Sequence, residues 1–399
     1  MPLLLRGPGI RPGTRMPVVA RSVDLFPTLL ELSGVPAPKS TYVLAGRSLA
    51  PAARGAGSPL EDAPAFAESL TPRVHYGWSD LRSVRDGRWK FIRAPRPELY
   101  DLARDPGERH NAVDEEPARA RALGAALDRH LRSEDSASPA RAAQSGDVPA
   151  ELVEKLSALG YASGSAAASS SGADPKDKIE EYKVLNAVLH EGLTLLRDRD
   201  FAGAASRFRT LASRGIDSFE SHYYYGQALV GLRQWRAAAG EFERAIPRLP
   251  GFAASYLMLA ECDVAAKDSV GAIDALRRGV NAVPTDPRLP RRLGDLYRGG
   301  GDLEHALAAF RDAIGKDPSE ASQWNSVGMI LGANGELTEA ERAFREAVQR
   351  DPREPRYTFN LALTLEREHR AADAAAYFRK TLEIDPRFTA ARERLERLK

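Results

Sequence analysis

The chain has little that could staple it chemically or anchor it. One cysteine, Cys262, stands among 399 residues. That excludes an internal disulfide and any zinc site built from several cysteines. No apolar run approaches the roughly 18–20 residues a helix needs to cross a bilayer. The run at the start, Pro2–Leu5, is too short for the core of a signal peptide, so none is expected. Neither sign of charge is in excess, with 57 basic residues against 55 acidic ones. Composition therefore implies neither nucleic acid nor an anionic membrane surface as a partner.

What the chain does have is a period. Pro250, Pro284, Pro318, Pro352 and Pro386 stand 34 residues apart, and Asp317, Asp351 and Asp385 precede three of them. Twelve residues before each lies Ala238, Ala272, Ala306, Ala340 or Ala374, with Ala204 one repeat earlier. Eight before lies Phe242, Leu276, Phe310, Phe344 or Phe378, again with Phe208 ahead of them. A small residue recurs at Gly192, Gly226, Ala260, Gly294, Gly328 and Ala362, and Tyr256 and Trp324 share an aromatic column. A fixed period of this length means stacked helical hairpins. Small residues let the two helix axes approach, the Phe fills the space between pairs, and the Pro opens the next turn, where its missing N–H costs nothing. One hairpin cannot bury its own apolar face, so stacking supplies the core.

These columns resemble the tetratricopeptide repeat (TPR) family. The repeats fall at about 185–218, 219–252, 253–286, 287–320, 321–354 and 355–388, and 389–399 begins a closing helix. The first is degenerate, with Ile216 in place of Pro, and reads as an N-terminal cap. The resemblance implies a concave face lined by the first helix of each repeat, taking a protein or peptide. By register its lining would include Tyr223, Gln227, Arg288, Arg291, Arg298, Asn325 and Phe359. The three arginines share one helix, which suits an acidic segment or a carboxylate. These positions do not reproduce the fuller Lys/Asn clamp of the chaperone-binding members, so chaperone binding is not expected.

Residues 1–131 show no such period. MPLLLRGPG reads as a buried strand ending in a turn. Val23–Gly34 reads as a short helix with Pro27 in its first turn and Gly34 as its C-cap. Leu81–Ile92 reads as a hairpin turning at Asp86-Gly87, and Glu98–Glu108 as a strand running into a surface turn. In order, PLLLRGPG, VDLFPTLLELSGV, GRSL, VRDGRWKFI and ELYDLARDPGE resemble the final quarter of sulfatases, in the alkaline-phosphatase superfamily. That implies the last strand of a large sheet followed by a small antiparallel subdomain. His75, Tyr76 and Trp78 would then be candidates for the rim of a substrate pocket.

The chemistry of that family needs a Cys or Ser in a C/S-x-P-x-R context, converted to formylglycine, and a divalent cation, usually Ca²⁺. No proline here has Cys or Ser two residues before it, and Ser138-Pro139-Ala140-Arg141 has the wrong spacing. No catalytic or metal-binding residue is therefore expected in this chain. Ca²⁺ and formylglycine are expected only of a full-length sulfatase.

Ser133–Val148 and Tyr161–Lys178 are rich in Ala, Ser and Gly and read as flexible linker. Pro149–Gly160 between them reads as a short amphipathic helix. Its Leu-Gly-Tyr ending resembles bacterial sulfatases that carry TPR tails. The expected organisation is a mainly α chain: a sulfatase C-terminal portion over 1–131, a linker over 132–180, and a TPR α-solenoid over 181–399. The small N-terminal part would be an α+β remnant, an antiparallel sheet with helices. The expected function is a peptide-binding scaffold fused to a catalytically incomplete sulfatase segment. The alternative is a fragment of a sulfuric ester hydrolase whose catalytic half lies upstream or on another chain. As written the chain would stay in the cytoplasm, whereas a longer product would be exported to the periplasm or a membrane.

Overall fold

The computed structural model describes residues 3–13, 15, 19–36, 46–55, 62–137 and 172–398, with backbone only at Val74, His75 and 134–137. These form two units. The sheet unit holds the described residues up to Arg73, from Gly77 to 137, and from 172 to Lys178. The helical unit runs from Ile179 onward and includes Val74–Tyr76.

In the sheet unit, helix α1 (Leu25–Ser33) ends at Gly34 with φ 70°, as the Gly34 C-cap requires. Its start is fixed by Asp24, whose carboxylate is fully buried. It accepts from Arg21 N at 3.0 Å, Arg21 Nη2 at 2.7 Å and Arg47 N at 3.0 Å. Gly46 passes so close to this helix start that a Cβ would fall 1.8 Å from the Val23 carbonyl oxygen. That explains the glycine of GRSL. Leu49, of the same motif, is buried and donates its N–H to Thr28 Oγ1 at 2.8 Å. Two short helices, α2 (Ala50–Ala53) and α3 (Thr71–Tyr76), flank the first strand.

Strands β1 (Ala65–Ser69), β2 (Leu81–Asp86), β3 (Trp89–Arg93) and β4 (Glu98–Asp101) pair in that order, all antiparallel. Helix α4 (Pro117–Ala137) covers one face, burying Val84, Phe91 and Leu99 against its Ala120, Leu123 and Leu127. Three sequence expectations need correcting here. The β2–β3 loop is Gly87-Arg88, one residue later than expected, because Asp86 pairs with Trp89. This register sets Val84 directly opposite Phe91 in the core under α4. Residues 3–6 form no strand, and Leu4 is 91% exposed. An isolated extended segment has no neighbour to satisfy its ladder of N–H and C=O groups.

Third, part of the expected linker is structured. Residues 133–137 continue α4, and 172–178 are bound to the sheet unit. Asp174, 5% exposed, accepts from Lys176 N and Arg96 N, Lys176 Nζ reaches Glu98 at 2.7 Å, and Ser79 N donates to Ala173 O. Charge and backbone pairing here outweigh a composition that favours disorder. The expected Pro149–Gly160 helix lies outside the described residues.

In the helical unit, antiparallel pairs follow one another: α5 (Ile179–Arg197) with α6 (Phe201–Ser213), then α7 (Phe219–Gly231) with α8 (Trp235–Ala245). Next come α9 (Ala253–Ala265) with α10 (Ser269–Ala282) and α11 (Arg288–Gly299) with α12 (Leu303–Lys316). The last pairs are α13 (Ala321–Ala333) with α14 (Leu337–Arg350) and α15 (Pro355–Arg367) with α16 (Ala371–Ile384), followed by the single α17 (Thr389–Arg397).

The columns read from the sequence become contacts. Phe208, Phe242, Phe310, Phe344 and Phe378 are all buried. A Cβ on Gly192, Gly226, Gly294 or Gly328 would lie 2.4, 2.9, 3.0 or 2.7 Å from the facing ring, so glycine is what lets the first helix settle on the phenylalanine. The aromatic column has a polar task as well. Tyr256 Oη donates to Pro250 O at 3.1 Å and Trp324 Nε1 to Pro318 O at 2.9 Å, satisfying carbonyls at the turn. One column escaped the sequence reading. Residues 199, 233, 267, 301, 335 and 369, between the two helices of each pair, all have positive φ, yet only Gly301 and Gly335 among them are glycine.

Candidate functional site

The first helices of the later repeats, α11, α13 and α15, line one face with two adjoining cavities. The first, of about 310 Å³, is lined by Arg291, Asp295 and Arg298 of α11, Asn325 and Met329 of α13, and Arg356 of α15, among others. The second, of about 470 Å³, is lined by Met329 and Gly332, by Asn360, Leu363 and Arg367 of α15, by Arg394 of α17, and by the Phe344 ring. Met329 belongs to both. Asn360 Nδ2 donates to Asn325 Oδ1 at 2.8 Å, linking the two cavities with a side-chain amide pair. That bond leaves Asn325 Nδ2 and Asn360 Oδ1, one donor and one acceptor, for a further partner.

The charges here are mostly held by neighbours. Arg298 reaches Asp295 at 3.2 Å and Arg394 reaches Glu366 at 3.2 Å. Arg367 donates to the Gly332 carbonyl at 2.6 Å, an acceptor near the C-terminal end of α13. Arg356 pairs with Glu354 at 2.7 Å, and its guanidinium holds that carboxyl below the usual range. Arg291 is exposed and has no ion-pair partner among the described residues.

Of the residues expected from register, Arg291, Arg298 and Asn325 meet at the first cavity. The others do not. Tyr223 is 7% exposed, its ring stacked on Phe219 at 5.3 Å and edge-on to Phe252 at 5.1 Å. Phe359 packs against Phe378 and Phe388 at 5.7 and 4.8 Å. Both rings gain more from the apolar stack than from the open face. Arg288 turns back onto Asp286 at 2.6 Å, and Gln227 lies half-buried on α7, lining neither cavity.

The sequence reading missed Asp295, Met329, Asn360, Arg367 and Arg394. The 34-residue spacing could have found several of them. Asp295, Met329 and Leu363 form one column, and Ser326, Asn360 and Arg394 form another.

Among the rim candidates, Trp78 is 7% exposed, a packed side chain rather than a rim. Tyr76 belongs to the helical unit, its ring edge-on to Tyr182 at 5.7 Å, and burial raises its hydroxyl above the ordinary range. The side chain of His75 lies outside the described residues.

Comparison with known proteins matches both units. The tetratricopeptide repeat family matches at residues 189–251, 226–287, 291–340 and 328–387. The family described as N-sulphoglucosamine sulphohydrolase, C-terminal, matches residues 1–136. The helical array consists of TPR repeats, and residues 1–136 are a sulfatase C-terminal domain.

Relatives of the sulfatase segment include arylsulfatase K of Rattus norvegicus, 31% identical over 144 residues, covering 33% of this chain and 24% of that protein. Arylsulfatase K of Xenopus laevis is 32% identical over 149 residues, covering 33% and 25%. The chain thus spans about a quarter of the length of the curated relatives it matches. Among solved structures, the TPR unit is similar to YrrB, described as a TPR protein with an unusual peptide-binding site, at TM-score 0.42 and 18% identity. That match covers 48% of this chain and 98% of YrrB. A TPR protein of Cytophaga hutchinsonii matches at TM-score 0.45 and 15% identity, covering 53% and 84%.

Proposed function

We propose that the TPR array binds an extended peptide segment of a partner protein along the face formed by α11, α13 and α15. The observation that carries this is the pair of adjoining cavities bridged by the Asn325–Asn360 amides. The amide pair offers one donor and one acceptor to a peptide main chain. The surrounding arginines favour an acidic ligand. A photo-crosslinking side chain at Met329 should capture peptides from a random decapeptide pool several-fold more than the same group at exposed Glu304 of α12. Equal capture at the two positions would remove the groove.

A second reading concerns the sheet unit. It would be the closing part of a sulfuric ester hydrolase whose catalytic portion is encoded upstream or on another chain. Two observations support it: the chain covers a quarter of its sulfatase relatives, and α1 turns apolar side chains outward, with Phe26 51% and Leu29 56% exposed. Buried against a partner, such side chains contribute about 1.5–3 kcal/mol each.

The family's Ca²⁺ and formylglycine would belong to that other portion. Cys262 is buried in α9, where burial first, and then Asp263 and Glu261, push its thiol up to about 12. No step of ester hydrolysis is assigned to these residues. An in-frame upstream extension encoding C/S-x-P-x-R is the expected finding, and an upstream stop without a neighbouring sulfatase half would sink the reading. Aryl-sulfate turnover by this chain alone, with Ca²⁺ present, would overturn the assignment of the chemistry elsewhere. Export of the longer product, and kinship with bacterial sulfatases that carry TPR tails, belong to the same proposal.

A further inference from the structure

The two cavities are lined differently, and the contrast describes a ligand with two parts. The first sets Arg291, Arg298 and Arg356 against a single lining carboxylate, Asp295. Arg298 and Arg356 already have acidic partners, which leaves the exposed Arg291 guanidinium to take another. The second cavity also holds Arg394, paired with Glu366, and Arg367, bound to the Gly332 carbonyl, and with those charges held its apolar wall is Met329 and Leu363 over the Phe344 ring. Gly328 and Gly332 keep it open. At Gly328 a side chain is barred, since its Cβ would stand 2.7 Å from the Phe344 ring. Met329 is 38% exposed on this wall, an adaptable apolar surface suited to varied side chains.

We infer that this face selects a peptide segment carrying an acidic side chain and, further along the same segment, a large apolar one. The carboxylate lies against Arg291, and the apolar side chain enters between Met329, Leu363 and the Phe344 ring. Arg291 stands on α11 and the apolar wall on α13 and α15, so an extended segment crossing these helices places the two side chains several residues apart. The inference rests on the groove reading above and adds the chemistry of the occupant.

The test uses the immobilised full chain and a random decapeptide pool, acetylated and amidated so that every carboxylate is a side chain. Retained peptides should be enriched about tenfold in Asp or Glu paired at one fixed spacing with Leu, Ile, Met or Phe. Arg291→Glu should abolish the acidic preference and keep the apolar one. Met329→Asp should do the reverse. Both positions are solvent-exposed, and circular dichroism checks that each variant stays folded.

Retention without the paired signature, or a signature unchanged in both variants, overturns this inference while leaving the groove standing. No retained peptide at all overturns both. A parallel pool with free C-termini separates a terminal carboxylate from a side-chain one. Enrichment confined to that pool overturns the side-chain assignment.

Discussion

Phe242→Ala should lower the stability of the TPR array by about 3–5 kcal/mol, the usual loss for emptying a buried aromatic site. Phe242 is completely buried, and Tyr223 stands edge-on to it at 5.7 Å. The more discriminating experiment pairs it with the glycine it faces. Gly226→Ala would set a methyl group 2.9 Å from the ring, closer than packed carbon atoms sit, at a cost of about 1–3 kcal/mol. Phe242→Leu alone would leave a void. Together the two changes reproduce the Ala260 and Leu276 of the next repeat, both fully buried. The double variant should therefore be more stable than the sum of the singles implies, by roughly 0.5–3 kcal/mol. Urea denaturation followed by circular dichroism gives the cycle, and simple additivity would show that the two positions are not coupled. The sixth repeat pairs Ala362 with Phe378, so the size match is a tendency of the stack and not a strict rule.

Asp24→Ala should cost the sheet unit about 3–5 kcal/mol, because it leaves the Arg21 guanidinium and the N–H groups of Arg21 and Arg47 without their shared acceptor. Hydrogen exchange should rise at the Arg47 and Leu49 amides while the amides of α13 and α15 keep their protection. Unchanged exchange at Arg47 would show that the carboxylate does not hold the helix start. The same site gives a pH dependence. Burial alone would raise the Asp24 carboxyl, but the Arg21 guanidinium and the N–H groups of Arg47 and Arg21 outweigh it. The carboxyl is held below its ordinary 3.8. A carboxyl depressed on folding stabilises above its unfolded pKa, and that contribution fades as pH falls through the folded value. The loss should set in below about pH 4, and Asp24→Asn should lack it.

The array was legible because its constraints recur. Expected repeat starts at 219, 253, 321 and 355 coincide with the first residues of α7, α9, α13 and α15. A ring against a glycine and a proline at a turn leave the same mark every 34 residues, whatever lies between. The groove was legible only in part. Register assigns a residue to the first helix of its repeat, but it does not say whether a side chain leans outward or toward the next pair. Arg291 leans outward because its charge keeps it in water, whereas Tyr223 and Phe359 lean inward. In the sheet unit the turn lies one residue beyond the Asp-Gly signal, which sets Val84 opposite Phe91 where the expected turn would set it opposite Trp89. The 172–178 segment was missed because its order comes from ion pairs to residues nearly 80 positions earlier, which local composition does not reveal.

The turn between the two helices of each repeat bears on how such a chain could change. Left-handed backbone costs a residue with a side chain roughly 1–2 kcal/mol more than it costs glycine. A basic group near the preceding helix's C-terminus returns about 0.3–1 kcal/mol. Arg199, Arg233, Lys267 and His369 accept that shortfall where Gly301 and Gly335 do not. Glycine at all six turns would make a sturdier array, so the molecule carries unspent thermal tolerance at four separate points. Arg199, Arg233 and Lys267 lie on earlier repeats, apart from the residues that line the two cavities, so those three could be drawn on without altering what the groove recognises, whereas His369 adjoins Glu366 and Arg367 of the second cavity.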